Sequence, residues 1–344
     1  MTDRPALAVS VGCPSGIGPE VAVRAAAKSP RVRCLLVGDE EVIRAAARRA
    51  RVGQRRLVAC DDSVGLAPGK VGIYAGSEPM PSPPRLGEPD PVGGAAQLAW
   101  IDQATDLVTG GRCAALVTGP VSKAAIASSA SRPAKRFRGH TEHLARRLGA
   151  DEVVMAFRSS HLTVSLVTTH LPLKKVSRAV TQDAVAAACF WLGDLLTSLE
   201  LERPRLVVAA LNPHAGEGGL LGDEETTRIA PGMARARARL KRRGVTLDGP
   251  LGAETAFRRA AGGEYDGVVA MYHDQATIPL KLLGFGEAVN VTLGLPIIRT
   301  SVDHGTAYDR AASGGASSSG MEAALELAGS LASSKPPSLR SAKR

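Results

Sequence analysis

Short apolar runs rich in β-branched residues recur along this chain, and three of them lead into a histidine. They are Ser165–Thr169 before His170, Val207–Leu211 before His214, and Val268–Tyr272 before His273. Val, Leu and Ala runs of this length are typical of buried strands in a largely parallel sheet. In open α/β sheets, ligands bind in the crevice outside the carboxyl ends of the strands. The runs therefore predict an α/β fold in which three imidazoles can converge at one sheet edge.

These three histidines are candidate metal ligands. Three neutral imidazoles that leave one coordination position open are a common arrangement for a catalytic divalent ion, with zinc the default and cobalt or another ion possible. A hydrogen-bonded residue at a strand end is the ordinary alternative for any one of them. Because the pattern repeats, the sequence predicts a metal or catalytic cluster of His170, His214 and His273. In contrast, His143 and His161 are predicted to be structural.

Length and composition limit the class of protein. The 344 residues are 44% hydrophobic, which is enough to bury one large core or two moderate ones. The net charge is +10, but aromatic residues make up only 3% of the chain. Basic residues do not alternate with stacking side chains, so no nucleic-acid partner is expected. An acidic small-molecule substrate explains the charge more simply.

The cysteines and the N-terminus bear on the cellular compartment. The five cysteines are far apart and form no C-x-x-C pair, which argues against disulfides and against a thiolate metal site. The first residues lack a secretory pattern, and no stretch is long enough to span a membrane. We therefore expect a soluble, cytoplasmic protein without a membrane partner.

Strand and helix signals alternate in the first third of the chain. The predicted strands are Ala6–Val11, Cys34–Val37 and Ala114–Val117, and the predicted helices are Glu20–Lys28, Glu40–Arg51 and Gln97–Thr109. A glycine loop, Gly12–Pro19, joins the first strand to the first helix. The proline-rich segment 76–94 is predicted to have no regular structure.

Further elements are predicted up to the C-terminal region. They are a hairpin formed by Val153–Phe157 and Leu162–Thr168, a helix Asp223–Leu240 broken near Pro231, strands at 288–293 and 297–298, and a last helix Met321–Leu331. The hairpin gives the sheet some antiparallel character, so we expect a mixed, mostly parallel sheet. Residues beyond Ser333 are predicted to be disordered.

Six motifs in this order resemble one known family. They are Gly16–Pro19, Val117–Val121 with Lys123, Gly139–Glu142, Leu211–Gly219, Tyr272–Gln275, and Val291–Pro296 continuing to Arg299–Ala307. Each is a weak signal by itself, but the six together, spread from residue 7 to about 330, are specific. The chain resembles the 4-hydroxythreonine-4-phosphate dehydrogenases of pyridoxal phosphate biosynthesis.

The resemblance implies an isocitrate/isopropylmalate dehydrogenase-like αβα sandwich with two subdomains and an active-site cleft between them. Residues 1–120 with 288–332 are predicted to form the cofactor-side subdomain, and 121–287 the middle subdomain with the metal histidines and the dimer interface. A disordered basic tail, 333–344, would follow. The resemblance also implies a homodimer with the active site at its interface. One divalent ion per subunit (zinc, cobalt or magnesium) would be held by His170, His214 and His273.

Two loops are similar to those that bind the nicotinamide cofactor in the wider β-decarboxylating dehydrogenases. Gly16–Glu20 resembles their N-terminal glycine loop, and His304–Ala307 resembles the loop that holds the adenosine half. The resemblance implies NAD or NADP, without a preference between them. The implied cofactor-binding residues are Gly16, Gly18, Asp303, His304, Gly305 and Thr306.

The family reaction oxidises a secondary alcohol β to a carboxylate, and the resulting β-keto acid loses carbon dioxide to give 3-amino-2-oxopropyl phosphate. The implied contacts to the small phosphorylated hydroxy acid are His140, Thr141, Lys281, Asn290 and Arg299. Cationic and hydrogen-bonding side chains of this kind suit an anion. The residues Lys123, Asp274 and Asp303 are candidates for proton transfer or for orienting a ligand, and the general base stays open between them.

The sequence also allows other functions. Pro279 in the segment His273–Lys281 stands where side branches of the family place a proline, and those branches oxidise threonate or erythronate 4-phosphate or cis-dihydrodiol dicarboxylates. A phosphotransacetylase-like acyl transferase would share the superfold but would need no metal histidines. A non-catalytic binding protein would not need an open metal position.

Overall fold

The computed structural model describes residues 4–63, 65–77, 79–129, 132–284 and 286–334. They fall into two compact units, one within Met1–Gly149 and Ile297–Ser333, the other within Ala150–Pro296. The boundaries thus differ from the predicted ones near 120 and 288. Segment 121–149 lies with the first unit because hydrogen bonds join it to helix residues of that unit. Ser122 N donates to Gln97 Oε1 at 2.8 Å, and His143 Nε2 lies 2.7 Å from Asp102 Oδ1.

The first unit begins with alternating strands and helices. The strands are β1 (Ala6–Ser10), β2 (Arg33–Val37), β3 (Leu57–Cys60), β4 (Val71–Tyr74) and β5 (Ala115–Thr118). The helices are α1 (Gly18–Lys28), α2 (Glu40–Arg49), α3 (Pro91–Thr109), α4 (Lys123–Ser128), α5 (Arg132–Lys135) and α6 (His140–Leu148). Local signals explain the helix starts, since the Asp39 and Asp90 carboxylates cap α2 and α3 by accepting from backbone N–H groups.

The second unit contains the residues that were predicted to form the hairpin. Its strands are β6 (Val154–Arg158), β7 (Thr163–Leu166), β8 (Arg205–Ala209), β9 (Thr246–Leu251), β10 (Gly267–Ala270) and β11 (Val289–Leu293). Its helices are α7 (Leu173–Ala179), α8 (Gln182–Ser198), α9 (Ala230–Leu240), α10 (Ala253–Ala261) and α11 (His273–Leu283). Strands β6 and β7 pair antiparallel, as predicted.

The chain then returns to the first unit with β12 (Ile298–Val302) and α12 (Ser319–Ser333). The strand order in this unit is β3-β4-β2-β1-β5-β12, and all these pairs are parallel. In the second unit the order is β11-β6-β7-β10-β8-β9, antiparallel at β11-β6-β7 and parallel from β7 onward. The predicted α/β class with a mixed, mostly parallel sheet is confirmed.

Several predicted boundaries were wrong. Helix α3 begins at Pro91, six residues before the predicted start at Gln97 and inside the segment expected to be irregular, because proline is well suited to the first turn of a helix. Strands β3 and β4 were not predicted. The tail predicted to be disordered, beyond Ser333, lies outside the described residues from 335 onward.

Buried side chains follow from this arrangement. All five residues of β1 and all four of β10 are buried, as expected for strands covered on both faces. Of the helices in the described ranges, none has by itself the length and apolar character needed to cross a membrane. Helices α7 and α8 meet that test only as a pair bent by 88°.

Candidate active site

The three candidate metal ligands follow three neighbouring strands of the second unit. Strand β10 pairs in parallel with β7 on one side and with β8 on the other. Their carboxyl ends therefore meet at one sheet edge, where ligands bind in proteins of this class. His170 follows β7, His214 follows β8, and His273 is the first residue of α11 after β10. Each histidine lies a few residues beyond its strand, since β7 ends at Leu166, β8 at Ala209 and β10 at Ala270.

Side-chain hydrogen bonds join these strand ends. The hydroxyl and the backbone N–H of Thr168 both donate to Met271 O, at 2.7 and 3.1 Å. Gln275 Oε1 accepts from Met271 N at 2.7 Å, and its Nε2 donates to Ala210 O at 2.8 Å. Each hydrogen bond lies within a few residues of one of the histidines. The backbone at the start of each histidine-bearing loop is therefore held in place.

Two of the three imidazoles are adjacent. The ring centroids of His170 and His273 lie 5.4 Å apart. His273 Nδ1 is 2.7 Å from Asp274 Oδ1, which leaves Nε2 for another ligand. A carboxylate on the second nitrogen is the usual partner of a metal-binding imidazole, so this donor set fits a divalent ion. Within the described ranges, no three His, Cys, Asp or Glu side chains are grouped as a metal site. The triad therefore stays a prediction.

His214 stands on an unusual backbone. The segment Pro213–Gly219 contains six consecutive residues with positive φ, from His214 at 52° to Gly219 at 103°. Three of them, His214, Ala215 and Glu217, are not glycine. Left-handed residues normally occur singly and cost about 1–2 kcal/mol each, so this turn persists only because other groups hold it. His214 itself is exposed.

Two adjacent carboxylates contact the residues just before His214. Glu225 Oε1 accepts from the backbone N–H groups of Leu211 and Asn212, at 2.9 and 2.8 Å. Asn212 Nδ2 donates to Glu225 Oε2 at 3.0 Å and to Glu224 Oε2 at 2.7 Å. The sequence analysis missed both carboxylates, because acidic residues near Asp223 are also the ordinary signal of a helix start.

A cationic cluster lies in the first unit. Arg299 on β12 is buried, and its Nη2 donates to Thr118 Oγ1 at 2.6 Å. Burial lowers the pKa of Arg299, and the nearby Glu142 carboxylate opposes this shift. Gly139 leaves room for Glu142 and Lys123, since a Cβ there would lie 2.8 Å from Glu142 Oε2 and 3.7 Å from Lys123 Nζ. The cluster suits an anion with more than one charged oxygen.

His140 belongs to the same cluster. Burial lowers its pKa well below the ordinary histidine value, and the charges of Arg299, His143 and Lys123 lower it further. The imidazole is therefore neutral at pH 7. Its Nε2 is buried and has no hydrogen-bond partner among the described residues, which is costly unless a ligand supplies one. In contrast, His143 bonds Asp102 and has a structural role.

The two loops predicted to bind the cofactor contact each other in the first unit. Ile17 N donates to Thr306 O at 3.0 Å. A Cβ on Gly16 would lie 2.6 Å from that same oxygen, so this glycine is required by packing against the second loop. Gly305 is different, because no atom lies within 4 Å of where its Cβ would be. The open space at Gly305 is where a ligand could approach the backbone.

The predicted residues thus form separate groups. The first unit brings together Lys123, His140 and Arg299, and it joins the loops of Gly16 and Thr306. The second unit brings together His170, His273 and Asp274, with His214 on a neighbouring loop. Lys281 is exposed in the last turn of α11, and Asn290 lies on β11 opposite Phe157. Asp303 and His304 follow β12, and Thr141 is in the first turn of α6.

These features define the class of protein: an α/β protein with three histidines beyond the ends of neighbouring strands and with a buried arginine in a cationic cluster. The chain matches the family described as "Pyridoxal phosphate biosynthetic protein PdxA" over residues 31–328. It is 41% identical over 335 residues to a 4-hydroxythreonine-4-phosphate dehydrogenase of Desulfosudis oleivorans, covering 95% of this chain and 96% of the relative. The chain therefore belongs to the PdxA family, as the resemblance predicted.

Two solved structures are similar to this one. The 4-hydroxythreonine-4-phosphate dehydrogenase from Klebsiella pneumoniae has a TM-score of 0.84 and 36% identity, covering 96% of this chain and 98% of that one. The terephthalate 1,2-cis-dihydrodiol dehydrogenase from Burkholderia xenovorans LB400 has a TM-score of 0.67 and 27% identity, covering 95% of this chain and 98% of that one. The higher identity is to the phosphate-ester enzyme.

Proposed function

We propose that this protein oxidises and decarboxylates 4-hydroxythreonine 4-phosphate to 3-amino-2-oxopropyl phosphate, using NAD or NADP and one divalent ion per subunit. The observation that carries the proposal is the linkage of three adjacent strand ends, each leading to a histidine, through Thr168 and Gln275. Identities of about 40% to enzymes named for this substrate support the same activity.

The second unit supplies the metal ligands in this proposal. His170, His214 and His273 would hold the ion, and Asp274 orients the His273 ring through its contact to Nδ1. Zinc, cobalt and magnesium are the candidate ions. When bound, the divalent ion supplies Lewis acidity toward the substrate oxygen, and the nicotinamide accepts the hydride. Because Asp274 is engaged with His273, Lys123 is the better candidate for proton transfer.

The substrate contacts are assigned from the cationic cluster of the first unit and from two residues of the second. Arg299 supplies a planar guanidinium for a carboxylate or phosphate, and neutral His140 supplies a hydrogen bond through Nε2. Thr141, Lys281 and Asn290 complete the proposed contacts. A phosphorylated hydroxy acid carries enough negative charge to match this set.

The cofactor is assigned to the two joined loops of the first unit. Gly305 leaves open space for the adenosine half, and the contact of Ile17 with Thr306 fixes one loop against the other. Gly16, Gly18, Asp303 and His304 are the other proposed cofactor residues. Steady-state kinetics with each nucleotide distinguish NAD from NADP.

We also propose a homodimer with the active site at its interface. Large apolar side chains are exposed on the three segments that follow the candidate metal ligands: Leu171, Leu173, Leu220, Leu221, Ile278, Leu282 and Leu283. Exposed apolar patches mark interaction surfaces, so we assign the interface to these segments. The five cysteines are free, which suits a reducing compartment, and we place the protein in the cytoplasm.

Steady-state kinetics test the proposed reaction. The purified protein, loaded in turn with zinc, cobalt or magnesium, is assayed with NAD and NADP for reduction of the cofactor and release of carbon dioxide. We expect the highest kcat/KM with 4-hydroxythreonine 4-phosphate. Threonate 4-phosphate, erythronate 4-phosphate and the cis-dihydrodiol of terephthalate are the comparison substrates. A higher kcat/KM with one of these compounds would identify that compound as the substrate instead.

A further inference from the structure

We propose that Glu225 is a positioning residue for the metal site. Its buried carboxylate holds the left-handed turn that carries His214, and so sets where this imidazole can bind a divalent ion. The proposal rests on the proposed function, because it takes His214 to be a metal ligand. It concerns a residue that neither the motifs nor the histidine pattern singled out.

The hydrogen bonds that Glu225 accepts all come from the two residues just before the turn. Its side chain is buried, with 3% exposure. Oε1 accepts two backbone N–H groups, those of Leu211 and Asn212, and Oε2 accepts from Asn212 Nδ2. Among the described residues, no lysine or arginine forms an ion pair with Glu225. A buried carboxylate without a cation depends on such N–H donors, so its position and that of the turn are coupled.

The turn needs this support because its backbone is unfavourable. Six consecutive residues from His214 have positive φ, and only Gly216, Gly218 and Gly219 among them adopt it without strain. The carboxylate also lies beside the turn itself, since a Cβ added to Gly216 would lie 2.9 Å from Glu225 Oε2. Without the carboxylate, the backbone N–H groups of Leu211 and Asn212 lose the one oxygen that accepts both of them, and no other acceptor for these groups is found among the described residues.

Glu224 extends the same arrangement. Its Oε2 accepts from Asn212 Nδ2 at 2.7 Å, and its Oε1 accepts from Ser177 Oγ at 2.5 Å. Glu225 begins a π-helical turn, Glu225–Ile229, a local insertion that is often found at functional sites. Two adjacent carboxylates therefore reach one amide, and the turn is tied through Asn212 to both.

Binding of Co²⁺ alone, followed by visible absorption, tests the proposal on the purified full chain after removal of metal. The variants are Glu225→Ala and Glu225→Gln, with His214→Ala as the metal-ligand reference. The control is Thr226→Ala, which alters the next residue of the π-helical turn Glu225–Ile229 but leaves the Glu225 carboxylate in place. Circular dichroism and thermal unfolding show whether each variant folds.

We expect Glu225→Ala to weaken Co²⁺ binding by about ten- to a hundredfold and to change the absorption band, because His214 is no longer held in place. Glu225→Gln retains one acceptor oxygen for the two backbone N–H groups but places an amide nitrogen near Asn212, so its loss should be smaller, about three- to tenfold, with a change in the absorption band. Thr226→Ala should bind Co²⁺ as the unchanged protein does. If Glu225→Ala does not fold, the Co²⁺ affinity and absorption band of Glu225→Gln test the proposal.

The outcomes distinguish the positioning role of Glu225 from the three-histidine metal site on which it rests. If the unchanged protein does not bind Co²⁺, or if His214→Ala binds it equally well, the metal site itself is wrong. If His214→Ala loses Co²⁺ while folded Glu225 variants keep full affinity and the same spectrum, the metal site stands and Glu225 is not a positioning residue.

Discussion

Arg299 and Thr118 connect the two neighbouring strands β12 and β5 through a hydrogen bond of 2.6 Å from Nη2 to Oγ1. This contact fixes a buried guanidinium, and the Glu142 carboxylate favours its charged form. Burial lowers the pKa of Arg299, but guanidinium pKa values are so high that the group stays a cation at neutral pH. A buried cation held in one orientation is well suited to bind a substrate anion.

Arg299→Ala should therefore lower kcat/KM for the phosphorylated substrate by about ten- to a hundredfold, since a charge-assisted contact contributes roughly 1.5–3 kcal/mol. The control is Arg31→Ala, because the Arg31 side chain is 90% exposed. Steady-state kinetics measure the effect. Unphosphorylated 4-hydroxythreonine should be a poor substrate of the unchanged enzyme. Equal turnover of the two compounds would contradict the assignment of a phosphate contact.

Much of the fold could be predicted because the strands are short, continuous apolar runs. The hairpin of β6 and β7 followed from two such runs separated by Arg158–Ser160. Strands β3 and β4 escaped prediction because each has only four residues, and β3 has two exposed positions. A short, half-exposed strand carries little hydrophobic pattern.

The candidate site could be predicted only where it depends on residue type. Histidines after apolar runs lie beyond the carboxyl ends of three neighbouring strands, and their metal-binding role stays a prediction. The left-handed turn at His214 could not be predicted, because it depends on Glu225 accepting N–H groups from residues 13 and 14 positions earlier. Contacts of this length leave no local pattern in the sequence.

The metal triad has its own test in single substitutions. Changing His170, His214 or His273 to Ala should lower bound metal and turnover together, because each removes one ligand of an open three-histidine site. Metal content is measured by elemental analysis after dialysis against trace zinc. His161→Ala, which alters an exposed histidine, is the control. Three variants with full metal content would exclude the triad.

The buried His140 should make the protein sensitive to acid. Its pKa is well below the ordinary value of 6.5, so below that pH the unfolded chain binds a proton that the folded protein does not. The free energy of unfolding should therefore fall as the pH is lowered from 7 to 5. His140→Asn should show a shallower dependence on pH, and His161→Asn should behave as the unchanged protein. Urea denaturation at several pH values measures the slopes, and equal slopes for His140→Asn and the unchanged protein would contradict this.

Gly305 offers a test of the cofactor loop. Valine has room there, because no protein atom lies within 4 Å of the Cβ position, so Gly305→Val should fold. Its side chain would occupy the space proposed for the adenosine half. The KM for NAD or NADP should rise far more than the KM for the acid substrate. Gly53→Val, at another open position with φ −60°, is the control. An unchanged cofactor KM in the folded variant would move the adenosine elsewhere.

The exposed apolar residues of α11 test the proposed dimer. Leu282 is 81% exposed and Ile278 59% exposed, and both lie on the helix that begins with His273. Charged side chains at these positions would have to be desolvated in an interface, which is strongly unfavourable. Leu282→Glu combined with Ile278→Glu should therefore shift the protein from dimer to monomer in sedimentation equilibrium and lower turnover. Val92→Glu, an exposed apolar position of the first unit, should leave the dimer intact. A double variant that remains dimeric at micromolar concentration would place the interface on another surface.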